Sequence, residues 1–404
     1  MTESKIPAYI AGSLRSPVGR YGGVLKSIRP DDLAASVIGA LAEKTGVDPS
    51  KVDEVILGCA NQAGEDNRNV ARMAALIAGF PYSVPAYTIN RLCGSSLEAV
   101  NSAARMIAAG DADCVIAGGV ESMSRAPYVI PKNAAGEVVF GNLTAYDTAL
   151  GWRFPNPKLS ARFPLESMGE TAENIAEKYK IRREEQDVFA LESHRRAILA
   201  QDDGKFADEI VPVNVMERKG EGMRVSEDEG PRRDTNLEKM SKLKSAFRTG
   251  GTVTAGNSSG LNDGAAALLI CSEEFIKSND LVPVAQIVSS GSAGVDPRLM
   301  GLGPVPATRR ALDKAKLKLE QIGLIELNEA FAAQSIAVMR EIGFDRKITN
   351  VNGGAIALGH PLGASGARIL TTLIHEMKRS KIEYGLATMC IGVGQGISTI
   401  VRGI

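Results

Sequence analysis

The sequence predicts an α/β fold: two similar halves, each a helix-covered and mostly parallel sheet, with a different region inserted between them. Three observations predict it. Short apolar runs alternate with helical apolar spacing at both ends of the 404-residue chain. The order of elements in the first part recurs in the last part. The stretch between, about residues 121–249, is richer in charge and proline and breaks that order.

In the first part, "VDEVILG" (52–58), "PAYTIN" (85–90) and "DCVIAGG" (113–119) read as strands. Residues 32–44, 68–79 and 95–109 read as helices; Leu97, Val100, Ala104 and Ile107 recur at helical spacing. The segment 304–331 echoes 29–58, and 359–390 echoes 90–119. In the second pair a turn of small residues opens a helix and a strand follows. A site built between two such repeats draws residues from both. The inserted region holds helical patterns at 170–180 and 184–201 and reads as a lid or substrate-binding subdomain.

Composition excludes several classes. Lysine plus arginine equal aspartate plus glutamate, 47 against 47, so nothing points to nucleic acid or an anionic membrane. No apolar run approaches the roughly 20 residues of a membrane helix. The N-terminus "MTESKIPAYIAG" has neither signal-peptide nor transit-peptide layout, and "VRGI" is no peroxisomal address, so a cytoplasmic protein is expected. Five well-separated cysteines and three histidines give no disulfide framework and no metal spacing.

The cysteines are therefore candidates for thiol chemistry. Cys93, in "NRLCGSSLEAV", precedes a helix. It is either a small buried hydrophobe or a nucleophile at the helix's positive end. His360 sits in "NGGAIALGHPLGASGAR" between glycine and proline. It is either a turn histidine or the missing base. His194 and His375 read as solvated or snorkelling helix residues. Cys390 ends a strand in "LATMCIGVGQG", where open α/β sheets bind ligands. Its glycines are no dinucleotide fingerprint, because only "ISTIVRGI" follows them. Asn328, in "IELNEAFAAQ", is a helix cap or a fixed amide donor. Cys59, Cys114 and Cys271 lie in strand-like runs and read as core.

Taken in order, "NRLCGSS", "AGNSSGLNDGAAA", "NEAFAAQ", "GGAIALGHPLGASGAR" and "CIGVGQG" resemble the thiolases, the acetyl-CoA acyltransferases, over essentially the whole chain. The resemblance implies two pseudo-symmetric α/β halves with an inserted loop domain. The halves are 1–120 with a return segment at 250–274, and 275–404; the loop domain is 121–249. It implies that Cys93 is acylated, that His360 is its base, and that Cys390 moves the proton at the α-carbon of acetyl-CoA. Asn328, with a water and His360, matches one oxyanion site. The N–H groups of Cys93 and Gly392 match the other. Arg232, Leu243, Phe247, Ala255 and Ser259 match positions that bind coenzyme A, and Met168 and Met300 match positions lining the acyl pocket.

Coenzyme A is then a substrate, and no cofactor or metal is implied. The family also implies a homodimer or homotetramer. Val393 stands where the family usually has glycine, which limits a dihedral and narrows the pocket. Ser167 stands where enzymes making acetoacetyl-CoA often have histidine. With "GWRFPNPKL", that favours a degradative 3-ketoacyl-CoA thiolase of fatty-acid β-oxidation over a biosynthetic acetoacetyl-CoA thiolase. Two rivals share the fold: a ketoacyl synthase, disfavoured by a single motif histidine and a second motif cysteine, and a non-catalytic acyl-CoA binder.

Overall fold

A computed structural model describes residues 6–132, 141–216 and 222–404. Residues 1–5, and the parts of the inserted region at 133–140 and 217–221, lie outside it. The main strands are β1 (Ala8–Arg15), β2 (Glu54–Gly58), β3 (Ala86–Ile89), β4 (Cys114–Ser122), β5 (Asn262–Ser272), β6 (Ala285–Gly294), β7 (Leu324–Leu327), β8 (Tyr384–Ile391) and β9 (Gln395–Gly403). The main helices are α1 (Pro30–Thr45), α2 (Ser95–Ala109), α3 (Met168–Tyr179), α4 (Arg183–Asp202), α5 (Pro304–Ala315), α6 (Ala332–Ile342) and α7 (Ser365–Ser380).

The nine strands form one continuous sheet, ordered β7-β8-β9-β6-β1-β5-β4-β2-β3, with a two-residue strand Gly19–Arg20 beside β5. The order shows the repeat. One half runs β3-β2-β4-β5-β1. The other runs β7-β8-β9-β6, with Thr349 bridging Ile325 where β3 has its counterpart. The halves join where β1 pairs with β6 at Ala8–Ile287, Tyr9–Gln286 and Ile10–Ala285.

The sheet is mixed, not mostly parallel. β2 is parallel to β3 and β4, and β7 to β8; the other neighbours are antiparallel. The alternation of strands and helices predicted crossovers only. β5 and β9 are return strands: β9 follows β8 through a three-residue turn, and β5 re-enters from the inserted region. Neither needs a crossover helix.

α2 and α7 lie together against the sheet. Leu97, Val100, Ala103 and Ile107 of α2 share one core with Ile369, Leu370, Leu373 and Ile374 of α7 and with residues of β4, β5 and β8. Burying each large apolar side chain contributes about 1.5–3 kcal/mol. Their N-terminal turns touch. A Cβ at Gly366 would lie 2.5 Å from the Leu97 backbone nitrogen, so the approach requires glycine. The residues just before both helices are thereby brought to one place.

The inserted region packs α3 and α4 on α6 through Ile175, Ile181, Phe189, Ala190, Ile336 and Ala337. Arg15 of β1 is fully buried and reaches into it, pairing with Glu209 at 2.6 Å and Asp228 at 2.7 Å. Removing either partner would strand a buried charge.

Candidate active site

Cys93 sits two residues before α2, preceded by Leu92 at φ 48°. Bonds from Gly94 N–H to Arg91 O (3.0 Å) and from Ser95 N–H to Leu92 O (3.1 Å) make the tight turn that carries it. Gly94 is needed there, since a Cβ would lie 2.5 Å from the Ile391 side chain. The backbone N–H groups of Gly392 and of Cys93 itself both favour the thiolate. Cys93 is only half-buried, yet the water it loses to its surroundings outweighs them and pushes the thiol up to about 11, with the Glu121 charge adding to the rise. Cys93 is thus no preformed thiolate and needs a base.

Gly392 opens the turn between β8 and β9, where Cys390 pairs with Gly396 and Ile391 with Gln395. Val393 does adopt a left-handed backbone, φ 63°, costly for a β-branched residue. Its side chain is partly exposed. A Cβ at Gly392 would lie 3.4 Å from the Met168 sulfur and 3.5 Å from Leu92 Cδ1. Cys390 is buried with Met300, Phe331, Ala330, Val253 and Ala172, and Met168 packs on that cluster. Both methionines expected at the acyl pocket therefore meet the second thiol. Burial pushes the Cys390 thiol up, and the nearby Cys93 charge pushes it further. Cys390 holds its proton at neutral pH.

His360 is buried and held by two hydrogen bonds. Its backbone N–H donates to Asn262 Oδ1 at 2.9 Å. Its Nδ1 lies 2.6 Å from Ser365 Oγ. Asn328 Nδ2 lies 3.4 Å from the same nitrogen, a contact between neighbours that both carry protons once Nδ1–H donates to Ser365. Ser365 gives its own proton to Pro361 O at 2.8 Å, so its oxygen accepts from Nδ1–H. That assigns the tautomer with Nε2 unprotonated. Burial pulls the imidazole down to about 3, and the Arg368 charge helps. A neutral imidazole is a base.

Asn328 does not cap a helix. α6 begins four residues later at Ala332, with Phe331 preceding it. The Asn328 backbone N–H donates to Thr388 O at 3.0 Å, which ties it to the strand carrying Cys390. Its side chain is fully buried and its Oδ1 has no partner among the described residues. One end of the amide meets His360 and the other is open to a further ligand. Glu329 fixes the junction, accepting from Ser193 Oγ at 2.5 Å and Asn350 Nδ2 at 2.9 Å. Ser193 in turn accepts from Gly354 N–H at 3.0 Å, in the loop leading to His360.

The residues matched to coenzyme A binding fall mostly in one strip. Leu243 lies against Gly256, where a Cβ would meet its Cδ1 at 2.6 Å, beside Ala255. Phe247 covers Gly169 and sets its ring edge on Phe331, centroids 6.1 Å apart. Ser259 binds Ala330 O through both its N–H and Oγ. Leu243, Phe247 and Ala255 are exposed. Arg232 is exposed too, but its contact is with α4, where its N–H donates to His194 Nδ1 at 3.2 Å. Ser167 caps α3 in a reciprocal pair with Glu170.

His194 and His375 are not solvated. His194 is buried and pulled down to about 4 by burial and by Arg232 and Arg20. His375 is half-buried and donates from Nε2 to Ser13 O at 3.1 Å. Charged neighbours in sequence masked faces that the fold turns inward. Cys59, Cys114 and Cys271 are buried, as expected.

Sequence reasoning passed over Ser365, Asn262 and Glu121. Ser365 stands five residues after His360, in the quoted motif. Glu121 accepts from Ala60, Asn61 and Gly363 N–H at 2.9, 3.1 and 2.8 Å, so it clamps the His360 loop to the loop after β2. A carboxylate at the end of a buried strand was its available signal.

Known proteins match the chain along nearly its whole length. The model of the thiolase N-terminal domain matches residues 8–274, and that of the thiolase C-terminal domain matches 281–403. The chain is 55% identical over 398 residues to the 3-oxoadipyl-CoA/3-oxo-5,6-dehydrosuberyl-CoA thiolase of Escherichia coli K12, covering 98% of this chain and 99% of the relative. It superposes on the acetyl-CoA acetyltransferase of Bacillus anthracis with a TM-score of 0.94 at 45% identity, over the whole of both chains. The human mitochondrial 3-ketoacyl-CoA thiolase in complex with CoA gives 0.92 at 41%, over 99% and 98%. The fold and the comparisons define an acyltransferase. More closely, the chain belongs to the thiolase family.

Proposed function

We propose that this thiolase cleaves a 3-ketoacyl-CoA bearing a second, terminal carboxylate, of the 3-oxoadipyl-CoA class, into acetyl-CoA and succinyl-CoA. The observation that carries the substrate class is the 55% identity, over nearly the whole length, to a thiolase named for 3-oxoadipyl-CoA. This replaces the fatty-chain substrate expected from Ser167 and "GWRFPNPKL".

The proposed steps follow from the geometry. Neutral His360 takes the Cys93 proton, and the thiolate attacks the keto carbon. The charge on the attacked oxygen is held by the N–H groups of Cys93 and Gly392. The bond between C2 and C3 breaks, and its electron pair passes into the acetyl-CoA enolate. The enolate oxygen is held by the protonated Nε2 of His360 and by a water that donates its other proton to Asn328 Oδ1. Cys390 protonates C2, which suits a thiol that burial keeps protonated. The acyl group is left as a thioester on Cys93. Free coenzyme A then gives its proton to the Cys390 thiolate and attacks that thioester; the Cys93–acyl bond breaks, Cys93 leaves as the thiolate and takes its proton back from His360, and succinyl-CoA departs.

Rates of thiolysis for 3-oxoadipyl-CoA, acetoacetyl-CoA and longer neutral 3-ketoacyl-CoAs test the reading. The highest kcat/KM should fall on 3-oxoadipyl-CoA. The structural likeness to an acetyl-CoA acetyltransferase supports the second reading, and preference for acetoacetyl-CoA would replace the first with it. We also infer a homodimer through the edge of β3, which has no strand partner among the described residues and carries exposed Tyr82, Leu76 and Ile77 nearby in sequence, an arrangement that invites pairing. Tyr87→Lys should give a monomer in sedimentation.

A further inference from the structure

The nucleophile and its base ride on two loops, one from each half of the chain. Cys93 sits on the turn after β3. His360 and its acceptor Ser365 flank the short turn Leu362–Ala364 before α7. Proton transfer between them works only at hydrogen-bond reach, so the spacing of the two loops matters to the chemistry. The side chain that touches both loops is Glu121, near the end of β4.

Glu121 is buried, and among the described residues its carboxylate meets backbone N–H groups and no cation. One oxygen, Oε2, accepts from Gly363 N–H at 2.8 Å and from Ala60 N–H at 2.9 Å. Gly363 belongs to the turn between His360 and Ser365. Ala60 leads to the other loop. Its carbonyl accepts from Asn90 Nδ2 at 3.0 Å, and Asn90 Oδ1 accepts from Leu92 N–H at 2.8 Å. Leu92 is the left-handed residue just before Cys93. A path of hydrogen bonds thus runs from the base's turn to the nucleophile's turn through a single carboxylate oxygen. The packing leaves little slack, since a Cβ at Gly363 would lie 2.7 Å from Cys59 Cα and 2.8 Å from Glu121 Oε2. The charge itself does not help the nucleophile, because it raises the Cys93 thiol. A buried carboxylate that hinders thiolate formation is explained by what it holds together.

We propose that Glu121 is a positioning residue, which sets the spacing of Cys93 and His360 by bridging their loops through one oxygen. The inference rests on the proposed roles of Cys93 as nucleophile and His360 as base. Two substitutions separate the bridge from the charge. Glutamine keeps an oxygen with two lone pairs and loses the charge, whereas methionine, of similar length, keeps neither. The experiment follows acetyl transfer from acetyl-CoA to Cys93 by mass, over a range of acetyl-CoA concentrations. It compares the wild type, Glu121→Gln, Glu121→Met and Asn90→Ala, with Cys93→Ala and His360→Ala as controls. Glu121→Met should lower the maximal rate about 10–100-fold, the cost of a displacement near 1 Å, and leave the half-saturating acetyl-CoA within about twofold. Glu121→Gln should recover most of the rate. Asn90→Ala, which breaks the path at an exposed side chain, should slow the maximal rate in the same way. Acetyl mass in Cys93→Ala, or an undiminished rate in His360→Ala, overturns the roles on which the inference rests. With those roles intact, a wild-type maximal rate in Glu121→Met or in Asn90→Ala overturns the bridge. Glu121→Gln as slow as Glu121→Met overturns it too, since the charge would then be what counts. A raised half-saturating concentration with the maximal rate kept would make Glu121 a binding residue and overturn its positioning role. Should Glu121→Met fail to fold, Asn90→Ala decides by the same criterion.

Discussion

Ser365→Ala removes a single oxygen, and its effect can be worked from the structure. That oxygen sits 2.6 Å from His360 Nδ1 in a fully buried setting, and its own proton is spent on Pro361 O. Without it, Nδ1–H loses its acceptor. An unpaired buried donor costs about 1–3 kcal/mol. The imidazole can avoid that cost by moving its proton to Nε2, the nitrogen that must take the Cys93 proton. Either way the base is wrong for part of the time. For metal-bound histidines the loss of such an orienting partner costs about 10–100-fold, and a loss of that order is the expectation for His360. The assay is pre-steady-state acetylation of Cys93 by acetyl-CoA, read by mass, alongside steady-state thiolysis. Both should slow together, since His360 serves both half-reactions. The melting temperature should fall modestly, because a small hydroxyl is all that is lost. Acetylation within twofold of wild type would refute the tautomer argument. Slowing of thiolysis alone would place Ser365 in the carbon chemistry instead.

Cys93→Ala should show no acetyl mass after mixing with acetyl-CoA, whereas Cys390→Ala should still acetylate but lose carbon–carbon cleavage by a far larger factor; equal loss in both steps would contradict the division of labour. Because burial holds His360 neutral down to about 3, kcat/KM should show no inflection near 6.5 on its acid side; such an inflection would mean the base is charged in the free enzyme. His360 and His194 bind protons more weakly folded than unfolded, so stability should fall as the pH drops below about 6.5 toward 4, in denaturant titrations across that range. Gly366→Ala puts a Cβ 2.5 Å from the Leu97 backbone, so it should cost about 1–3 kcal/mol of stability and lower kcat by spreading the starts of α2 and α7; unchanged melting would show that the helices can part freely.

The sequence by itself determined the pattern and the chemistry. Helical spacing placed α2 at 95–109, and the structure has it at Ser95–Ala109. The echo between 90–119 and 359–390 implied a site drawing residues from both halves, and the touch of Gly366 on Leu97 is how the fold brings the two helix starts together. Residue type left Cys93 and His360 open between packing and chemistry, and the motifs around them, with "CIGVGQG" at Cys390, decided it through the family resemblance. What only the tertiary structure decided depends on burial and on distant partners. The antiparallel return of β5 and β9 depends on pairing across the chain, which local periodicity does not carry. The inward faces of His194 and His375 depend on what packs over them. The protonation states of Cys93, Cys390 and His360 depend on water being excluded. Local sequence does not state that, whereas the packed cluster around Met300 and Phe331 does.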